Sequence, residues 1–344
     1  MRIYDYSDVR KKLENGTSHL LLGNGFSISF SDVFSYESLF KKAVDNGLSD
    51  NAIKVFDLLG TNNFEGVLRV LNSTAAVASF YYDLDDNGDL IYDDVRIIKE
   101  TLIKTIAESH LHHTGEVPNN AKDSCIDFLM PYKSVFTTNY DLLLYWVNMH
   151  SGDRPIFGDG FRAEFENPDA EYVVFAERLG GDKGIYHLHG ALHLYFSDGY
   201  IKKHCWSRTK RPLIDLIKSG LDNNSFPLFV AEGSPEKKVE QINSNAYLSY
   251  CLSKLGRITN RLVVFGNTLG ASDGHIVDAI ADNDKLIEVC IGLYGDVDSP
   301  TNQETIKSAQ SILDRRAKMN VFRKRKDKEL NLIYYKSDSI DIWS

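Results

Sequence analysis

Cysteine and proline are scarce in this sequence, and long hydrophobic runs are absent. Of its 344 residues, 4 are cysteines and 8 are prolines. The four cysteines lie far apart, at Cys125, Cys205, Cys251 and Cys290. No Cys-x-x-Cys pair or histidine at zinc-ligand spacing accompanies them, so we expect no structural zinc site. With so few prolines to mark linkers, we predict a single domain over residues 1–344.

Membrane insertion and export are disfavoured by the hydropathy pattern. No apolar stretch approaches the length needed to span a bilayer, and the opening MRIYDYSDVRKKLENG lacks the apolar core of a signal peptide. We therefore expect a cytoplasmic protein. The net charge of −9 makes nucleic-acid binding by the whole surface unlikely as a function class. The basic segment 315–330 is either a solvated helix face or a docking patch.

Short apolar runs, rich in Val, Ile, Leu and Phe, recur along the chain. They predict strands buried on both faces, at residues 19–23, 133–139, 184–190, 226–233, 261–267, 285–295 and 331–335. Helical patterns separate several of them, at 245–258, 273–282 and 302–318. This alternation predicts an α/β fold with a Rossmann-like, mostly parallel sheet and helices on both faces. We also predict a helical insertion at about 35–130 and a smaller insertion at about 195–225.

Four of the predicted strands end in polar or glycine-rich turns. These turns read GNGFS at 23–27, TTNYD at 137–141, HLHG at 187–190 and GNTL at 266–269. In a parallel sheet the carboxyl ends of the strands share one edge, which is where ligands bind in such folds. We therefore expect the four turns to converge.

The first turn has two interpretations. Gly23 and Gly25 permit a sharp bend and a close approach of the backbone to a pyrophosphate. The dinucleotide fingerprint has a further glycine where this sequence has Ile28. The turn is therefore either a phosphate cradle or a plain structural bend.

The second turn places Asn139 and Asp141 after a buried strand. The pair either caps a helix predicted at 142–149 or lines a ligand site. In the second case the Asn139 amide, both donor and acceptor, holds a ribose hydroxyl or a water.

The third turn contains histidines with alternate spacing. His187, His189 and His193 share one face if the strand continues through them. His187 and His189 are candidate metal ligands, but no third ligand stands at a decisive spacing, and we predict no metal. His189, directly before Gly190, is the better candidate for a single acid/base imidazole.

Two further turns join strands to helices, and one loop has calcium-loop spacing. The Ser234 hydroxyl with nearby amides, and the turn at Gly266 and Asn267, either hold phosphate or simply start helices. Residues 83–94 have the spacing of a calcium loop but end in Asp94 rather than Glu, and their Asn-Gly is equally a hairpin signal.

Together, the strand-end motifs resemble those of the sirtuin superfamily, in particular its bacterial sirtuin-like branch. GNGFS at 23–27 resembles the family's Gly-Ala-Gly-x-Ser, TNYD at 138–141 is similar to Gln-Asn-Ile-Asp, and His189-Gly190 resembles the catalytic His-Gly. FVAEGSP and VVFGNTLG resemble its later nucleotide-edge turns. Two features depart from the family: Thr138 replaces the glutamine, and the four-cysteine zinc module of the deacetylases is missing.

The resemblance implies that NAD is bound and, as in many bacterial relatives, hydrolysed to nicotinamide and ADP-ribose in defence against phage. It implies that Asn139 orients the attacking water or a ribose hydroxyl, that His189 accepts its proton, and that Asp141 fixes the loop or the ribose. The residues expected to contact NAD are Gly23, Asn24, Gly25, Phe26, Ser27, Thr138, Gly190, Ser234, Gly266 and Asn267.

Other functions share these motifs. One is a sensor that binds NAD or ADP-ribose without turnover, and another is a metal-dependent hydrolase with His187 and His189 as ligands. A protein deacylase or ADP-ribosyltransferase would need an acceptor cleft that no motif identifies. The resemblance further implies regulated activity, a homo-oligomer, and a HerA-type ATPase or phage-derived trigger acting through the helical insertion.

Overall fold

A computed structural model describes residues 2–81, 88–150, 155–177, 182–223, 225–230, 235–323 and 329–344. Its strands are β1 Ile3–Asp5, β2 Ser18–Leu22, β3 Ser134–Thr137, β4 Phe161–Arg162, β5 Tyr172–Phe175, β6 Gly184–His187, β7 Gly190–Ser197, β8 Tyr200–His204, β9 Pro227–Phe229, β10 Asn260–Phe265, β11 Leu286–Leu293 and β12 Asn331–Lys336. Its α-helices are α1 Tyr6–Leu13, α2 Gly25–Ile28, α3 Tyr36–Asp45, α4 Asp50–Leu59, α5 Phe64–Tyr81, α6 Gly88–Ser109, α7 Asn119–Leu129, α8 Leu143–Asn148, α9 Trp206–Thr209, α10 Leu213–Asp222, α11 Pro235–Ser244, α12 Ala246–Leu255, α13 Gly274–Asp282 and α14 Pro300–Phe322.

The central sheet has seven strands in the order β1-β12-β11-β10-β2-β3-β6. Neighbouring strands in it pair in parallel. Read from β6, the order 6-3-2-10-11-12 is that of the doubly wound fold, in which the chain builds one half outward and then returns to build the other. The predicted α/β class with a Rossmann-like parallel sheet is therefore confirmed. The topological switch point lies between β2 and β10.

Strand β2 shows why these apolar runs form central strands. Leu20 and Leu22 point into the hydrophobic core on one face, and Leu21 points into the core on the other. Val263 and Val264 of β10 divide in the same way. The sheet is therefore covered on both faces, which explains the unbroken apolar runs in place of an alternating pattern.

The segment predicted as a helical insertion contains α3 to α7. These helices bury an apolar face in the hydrophobic core that also contains Leu20 and Leu22 of β2. The rings of Phe56 and Phe64 are 5.0 Å apart there. Among the described helices, none has both the length and the apolar character that crossing a bilayer requires.

The run at 226–233 was predicted as a strand of the parallel sheet, and this prediction is wrong. Its described part contains β9, which pairs antiparallel with β7 in a second sheet of order β4-β5-β8-β7-β9. The insertion at about 195–225 contributes the end of β7, β8 and helices α9 and α10. A two-residue turn with positive φ at Asp198 (53°) and Gly199 (80°) closes the β7–β8 hairpin. An apolar run does not reveal which sheet it joins.

Candidate functional site

The turns after β2 and β10 contact each other at the switch point. The Gly23 and Gly25 amides donate to the carbonyls of Phe265 and Gly266, both at 2.9 Å. A Cβ on Gly25 would lie 2.5 Å from the Gly266 Cα, and Gly266 has a φ of +65°. Only glycine fits such an approach and such a backbone. These glycines therefore allow the two halves of the fold to contact each other closely at the switch point.

The amides expected to cradle a diphosphate already have backbone partners. The Gly25 amide donates to the turn after β10, and within the first turn the Phe26 amide donates to the Gly23 carbonyl and the Ser27 amide to the Asn24 carbonyl, both at 3.0 Å. The Phe26 ring is buried 4.9 Å from the ring of Trp343, so it belongs to the core. Asn24 donates its side-chain amide to the Phe34 carbonyl at 3.0 Å.

The loop after β3 joins the same edge. The Thr138 amide donates to the Leu22 carbonyl at 3.1 Å, and Asn267 Nδ2 donates to Thr138 Oγ1 at 3.3 Å. Asn267 Oδ1 accepts from the Leu269 amide at 2.7 Å. The predicted convergence of the strand-end turns thus holds for those after β2, β3 and β10.

A buried chain of hydrogen bonds links Ser27, Asn139 and Asp141. Asn139 Nδ2 donates to Ser27 Oγ at 2.8 Å, and Ser27 Oγ donates to Asp141 Oδ2 at 2.5 Å. Asp141 Oδ1 also accepts from the amide of Leu143, the first residue of α8, at 2.9 Å. Asp141 therefore both supports the helix start and fixes the polar chain, and the ligand-site interpretation of this motif stays a prediction.

In the hydrogen-bonded group of Ser27, Asn139 and Asp141, the Oδ1 atom of Asn139 has no hydrogen-bond partner among the described residues. It is also buried. Leaving a buried acceptor unsatisfied costs about 1–3 kcal/mol. The carbonyl is therefore suited to accept from a hydroxyl or a water brought by a ligand.

His189 lies in a different cluster from His187 and His193. Its Nε2 atom is 2.9 Å from Nε2 of His275 and 3.8 Å from Oδ1 of Asp273. Burial lowers the pKa of His189 to about 3, helped by the nearby Lys238 ammonium. Burial, and then His189 itself, lower the pKa of His275 to about 3. Both imidazoles are therefore neutral at pH 7.

A completely buried lysine lies beside this histidine pair. Lys238 Nζ, on α11, is 2.8 Å from Oε2 of Glu65 and 3.5 Å from Oδ1 of Asp273. Burial opposes its charge, but the two carboxylates outweigh burial and raise the pKa of Lys238. Because Glu65 is the second residue of α5, the helical insertion contributes directly to the site.

Tyr140 lies between the group of Ser27, Asn139 and Asp141 and the cluster around His189. Its hydroxyl donates to the Val230 carbonyl at 2.8 Å and lies 3.5 Å from Glu65 Oε1. Its ring centroid is 6.5 Å from that of His189. Within the described residues, Asn139 and His189 do not hydrogen bond to each other, and each is anchored by its own partners.

The expectation that three histidines share one strand face is wrong, because the strand does not continue through them. Strand β6 ends at His187, the chain turns at Gly190, with φ +87°, and His193 lies on β7 of the second sheet. The rings of His187 and His193 are still 5.2 Å apart, beside a small cavity lined also by Asp159 and Lys203. His187 and His189 therefore do not form the metal pair considered from the sequence.

Some predicted residues fall outside the described part of the chain. Ser234 is one of them, and so are residues 83–87 of the calcium-loop pattern. Asp94, the last residue of that pattern, lies on α6 and accepts a hydrogen bond from Ser49 Oγ at 2.7 Å.

The sequence analysis missed His275, Glu65 and Lys238 as members of the site. His275 carried a usable signal, since it follows the turn after β10 in the run GNTLGASDGH. Glu65 and Lys238 carried none, because each is an ordinary charged residue within a helical pattern.

Sequence comparison assigns the chain to a family. The model of a family described as a domain of unknown function (DUF4917) matches residues 20–343. The chain belongs to this family. The DUF4917 match includes the switch-point turns, the Asn139 loop and the His189 cluster. No curated protein matches the chain in sequence.

Several solved structures are similar to this DUF4917 chain. One is described as a structure of Sir2Tm bound to a propionylated peptide. It is 12% identical, with 90% of this chain and 98% of that chain covered, at a TM-score of 0.35. The doubly wound strand order, and not this similarity, establishes the fold class.

Proposed function

We propose that this chain binds NAD at the carboxyl edge of the sheet, beside the β2–β10 switch point, and hydrolyses the bond between nicotinamide and ribose. The observation that carries the proposal is the Asn139 side chain, which Ser27 fixes in place while its buried Oδ1 has no partner among the described residues. Ligands of doubly wound sheets bind at the switch point, and β2, which borders it, pairs directly with β3.

The chemistry of NAD suits a site with so few catalytic groups. Nicotinamide is positively charged in NAD and leaves as a neutral molecule, so no general acid has to protonate it. The enzyme has to stabilise an oxocarbenium-like ribose and to position a water. Asn139 Oδ1 accepts a hydrogen bond from that water or from a ribose hydroxyl.

His189 is the proposed base. It is neutral at pH 7, because burial lowers its pKa to about 3. In the tautomer that donates its Nε2 proton to His275, the Nδ1 lone pair accepts the proton of the attacking group. Asp141 acts indirectly, by fixing Ser27 and through it the Asn139 amide.

A sensor that binds NAD or ADP-ribose without turnover is the second candidate. The burial of the two reactive side chains favours it, since Asn139 is 7% exposed and His189 is 1% exposed. Such a module retains its ligand and releases no nicotinamide.

The proposal is tested by incubating the purified full chain with NAD and separating nicotinamide and ADP-ribose by chromatography. We expect Asn139→Ala and His189→Ala to lower the rate by about 10²–10⁴-fold. The exposed positions Asn120→Ala and His112→Ala are matched controls that should keep the parental rate. Parental rates in both site variants would refute the assignment, and NAD binding without product would favour the sensor.

The proposed biological role is that of a regulated bacterial anti-phage effector, because free NAD hydrolysis endangers the cell that carries it. Regulation through a homo-oligomer, a HerA-type ATPase or a phage-derived trigger is part of this proposal. Light scattering after size exclusion, with and without an ATPase encoded nearby, tests the assembly. NAD assays on the same fractions test whether assembly changes the rate.

A further inference from the structure

We infer that His189, Asp273 and His275 form a binding site for one divalent transition-metal ion. Their candidate ligand atoms all lie within 4.8 Å of one another. His189 Nε2 is 2.9 Å from His275 Nε2 and 3.8 Å from Asp273 Oδ1. Ligands bound about 2.1 Å from one tetrahedral zinc ion are about 3.4 Å apart. Side-chain movements of about 1 Å therefore bring the three ligand atoms to one ion.

The fold brings these ligands together from two places. His189 lies in the turn between β6 and β7, where its carbonyl accepts from the Val230 amide at 3.0 Å. Asp273 and His275 flank Gly274, the first residue of α13. Asp273 and His275 are thus fixed by the start of α13, and His189 by the connection between the two sheets. This placement needs no rearrangement of an element.

The charges around the cluster leave room for a cation. Glu65 and Asp273 supply two carboxylates, and Lys238 is the ammonium group that pairs with both. The ammonium lies nearer to Glu65, at 2.8 Å, than to Asp273, at 3.5 Å. Asp273 is therefore the carboxylate available to a metal ion. A bound divalent ion would offset the carboxylate that Lys238 does not balance.

The histidine pair supports the same reading. The Nε2 atoms of the two imidazoles are 2.9 Å apart, so they share either a proton or a metal ion. Imidazole and carboxylate ligands suit Zn²⁺, Co²⁺ and Ni²⁺, and three protein ligands leave a coordination position open. This set differs from the His187–His189 pair suggested by sequence spacing.

The test is a titration of the EDTA-treated full chain with CoCl₂, followed by visible absorption, with zinc stoichiometry from equilibrium dialysis. We expect one saturable site per chain. His275→Gln and Asp273→Asn should weaken Co²⁺ binding at least about tenfold. His193→Gln is the matched control, because His193 is a buried member of the other histidine pair, and it should bind as the parent does.

A second measurement needs no variant and therefore does not depend on variant folding. Pulsed electron paramagnetic resonance of the Cu²⁺-loaded parent should count two imidazole ligands. One imidazole or none, no saturable site in the parent, or binding lost in His193→Gln and kept in His275→Gln would overturn the inference. Because these readouts measure binding alone, they stand or fall separately from NAD hydrolysis.

Discussion

Ser27 and Asp141 share a hydrogen bond of 2.5 Å between Oγ and Oδ2, although 114 residues separate them. The bond ties the turn after β2 to the loop after β3, and it sets the position of the hydroxyl that accepts from Asn139. Because both oxygens of Asp141 accept hydrogen bonds, the geometry of the site depends on that carboxylate.

Replacing Asp141 with Asn should destabilise the protein and slow NAD hydrolysis. The new amide group cannot accept from both Ser27 and the Leu143 amide, so one charge-assisted bond is lost. Such bonds contribute about 1.5–3 kcal/mol. Urea unfolding should therefore report a loss of that order, and Asp57→Asn, at an exposed site on α4, should change stability little. Equal stability of the two variants would contradict the role given to Asp141.

Replacing Gly25 with Ala should force the two switch-point turns apart. The added Cβ would meet the Gly266 Cα at 2.5 Å, and that neighbour is backbone, which cannot rotate away. Overpacking of this kind costs about 1–3 kcal/mol. Gly256→Ala is the matched control, since its Cβ would meet atoms only at 3.7 Å and beyond. Gly25→Ala should unfold at a lower temperature and bind NAD more weakly than the parent, whereas Gly256→Ala should match the parent in both measurements.

Replacing Lys238 with Met should leave Glu65 and Asp273 without their shared ammonium group. Removing one partner of a buried ion pair costs about 3–5 kcal/mol. Exposed ion pairs contribute little to stability, so Lys41→Met, which breaks the exposed pair with Glu37, is the control. Unfolding in urea measures both. A small effect of Lys238→Met would show that the buried carboxylates find other partners.

Stability should decline as the pH falls from about 6.5 towards 3, in part because of His189. Its pKa is about 3 in the folded protein, against 6.5 for the model imidazole. In that window the unfolded chain binds a proton that the folded chain does not, so acid favours unfolding by about 1.4 kcal/mol per pH unit. Above pH 6.5 the imidazole is neutral in both states, so this histidine no longer makes the free energy of unfolding depend on pH.

The measurement is urea unfolding of the parent and of His189→Asn at pH 7.5 and 5.5. The variant should lose about 1 kcal/mol less than the parent over this interval. His275, Asp273 and Lys238 face the same imidazole and remain in both proteins. His112→Asn, on the exposed surface, should follow the parent. An unchanged slope in His189→Asn would contradict the buried neutral imidazole.

Zinc should inhibit NAD hydrolysis if both proposals hold. An ion bound to Nε2 of His189 leaves the imidazole proton on Nδ1. Nδ1 then has no lone pair to accept the proton of the attacking group. The initial rate, measured with EDTA and then with increasing ZnCl₂, should fall in the parent as the site fills. A rate that rises with zinc would instead indicate a metal-dependent hydrolase.

Much of the central sheet was predictable because its strands are buried on both faces. The runs that became β2, β3, β10, β11 and β12 are almost continuously apolar, and few other structures bury such a run. The second sheet was not predicted. Apart from β7, its strands have two to five residues, and Lys202 and Lys203 of β8 hide the strand pattern, although both are buried beside aromatic rings.

The site was predictable where it is local in sequence. Asn139 and the Gly23–Gly25 turn follow strands directly, so their convergence follows from parallel pairing. The partners of His189 did not follow, since His275 lies 86 residues further on. Glu65 comes from a helix whose packing over the sheet no local pattern encodes. Long-range ion pairs depend on tertiary packing, which periodicity does not describe.

The ion pair between Glu65 and Lys238 means that α5, a helix of the insertion, contributes a charge to the site. A displacement of the first turn of α5 would withdraw a negative charge from the ammonium group, which would then act more strongly on Asp273 and the histidines. A partner that moved α5 would therefore change the electrostatics of the site without contacting the ligand.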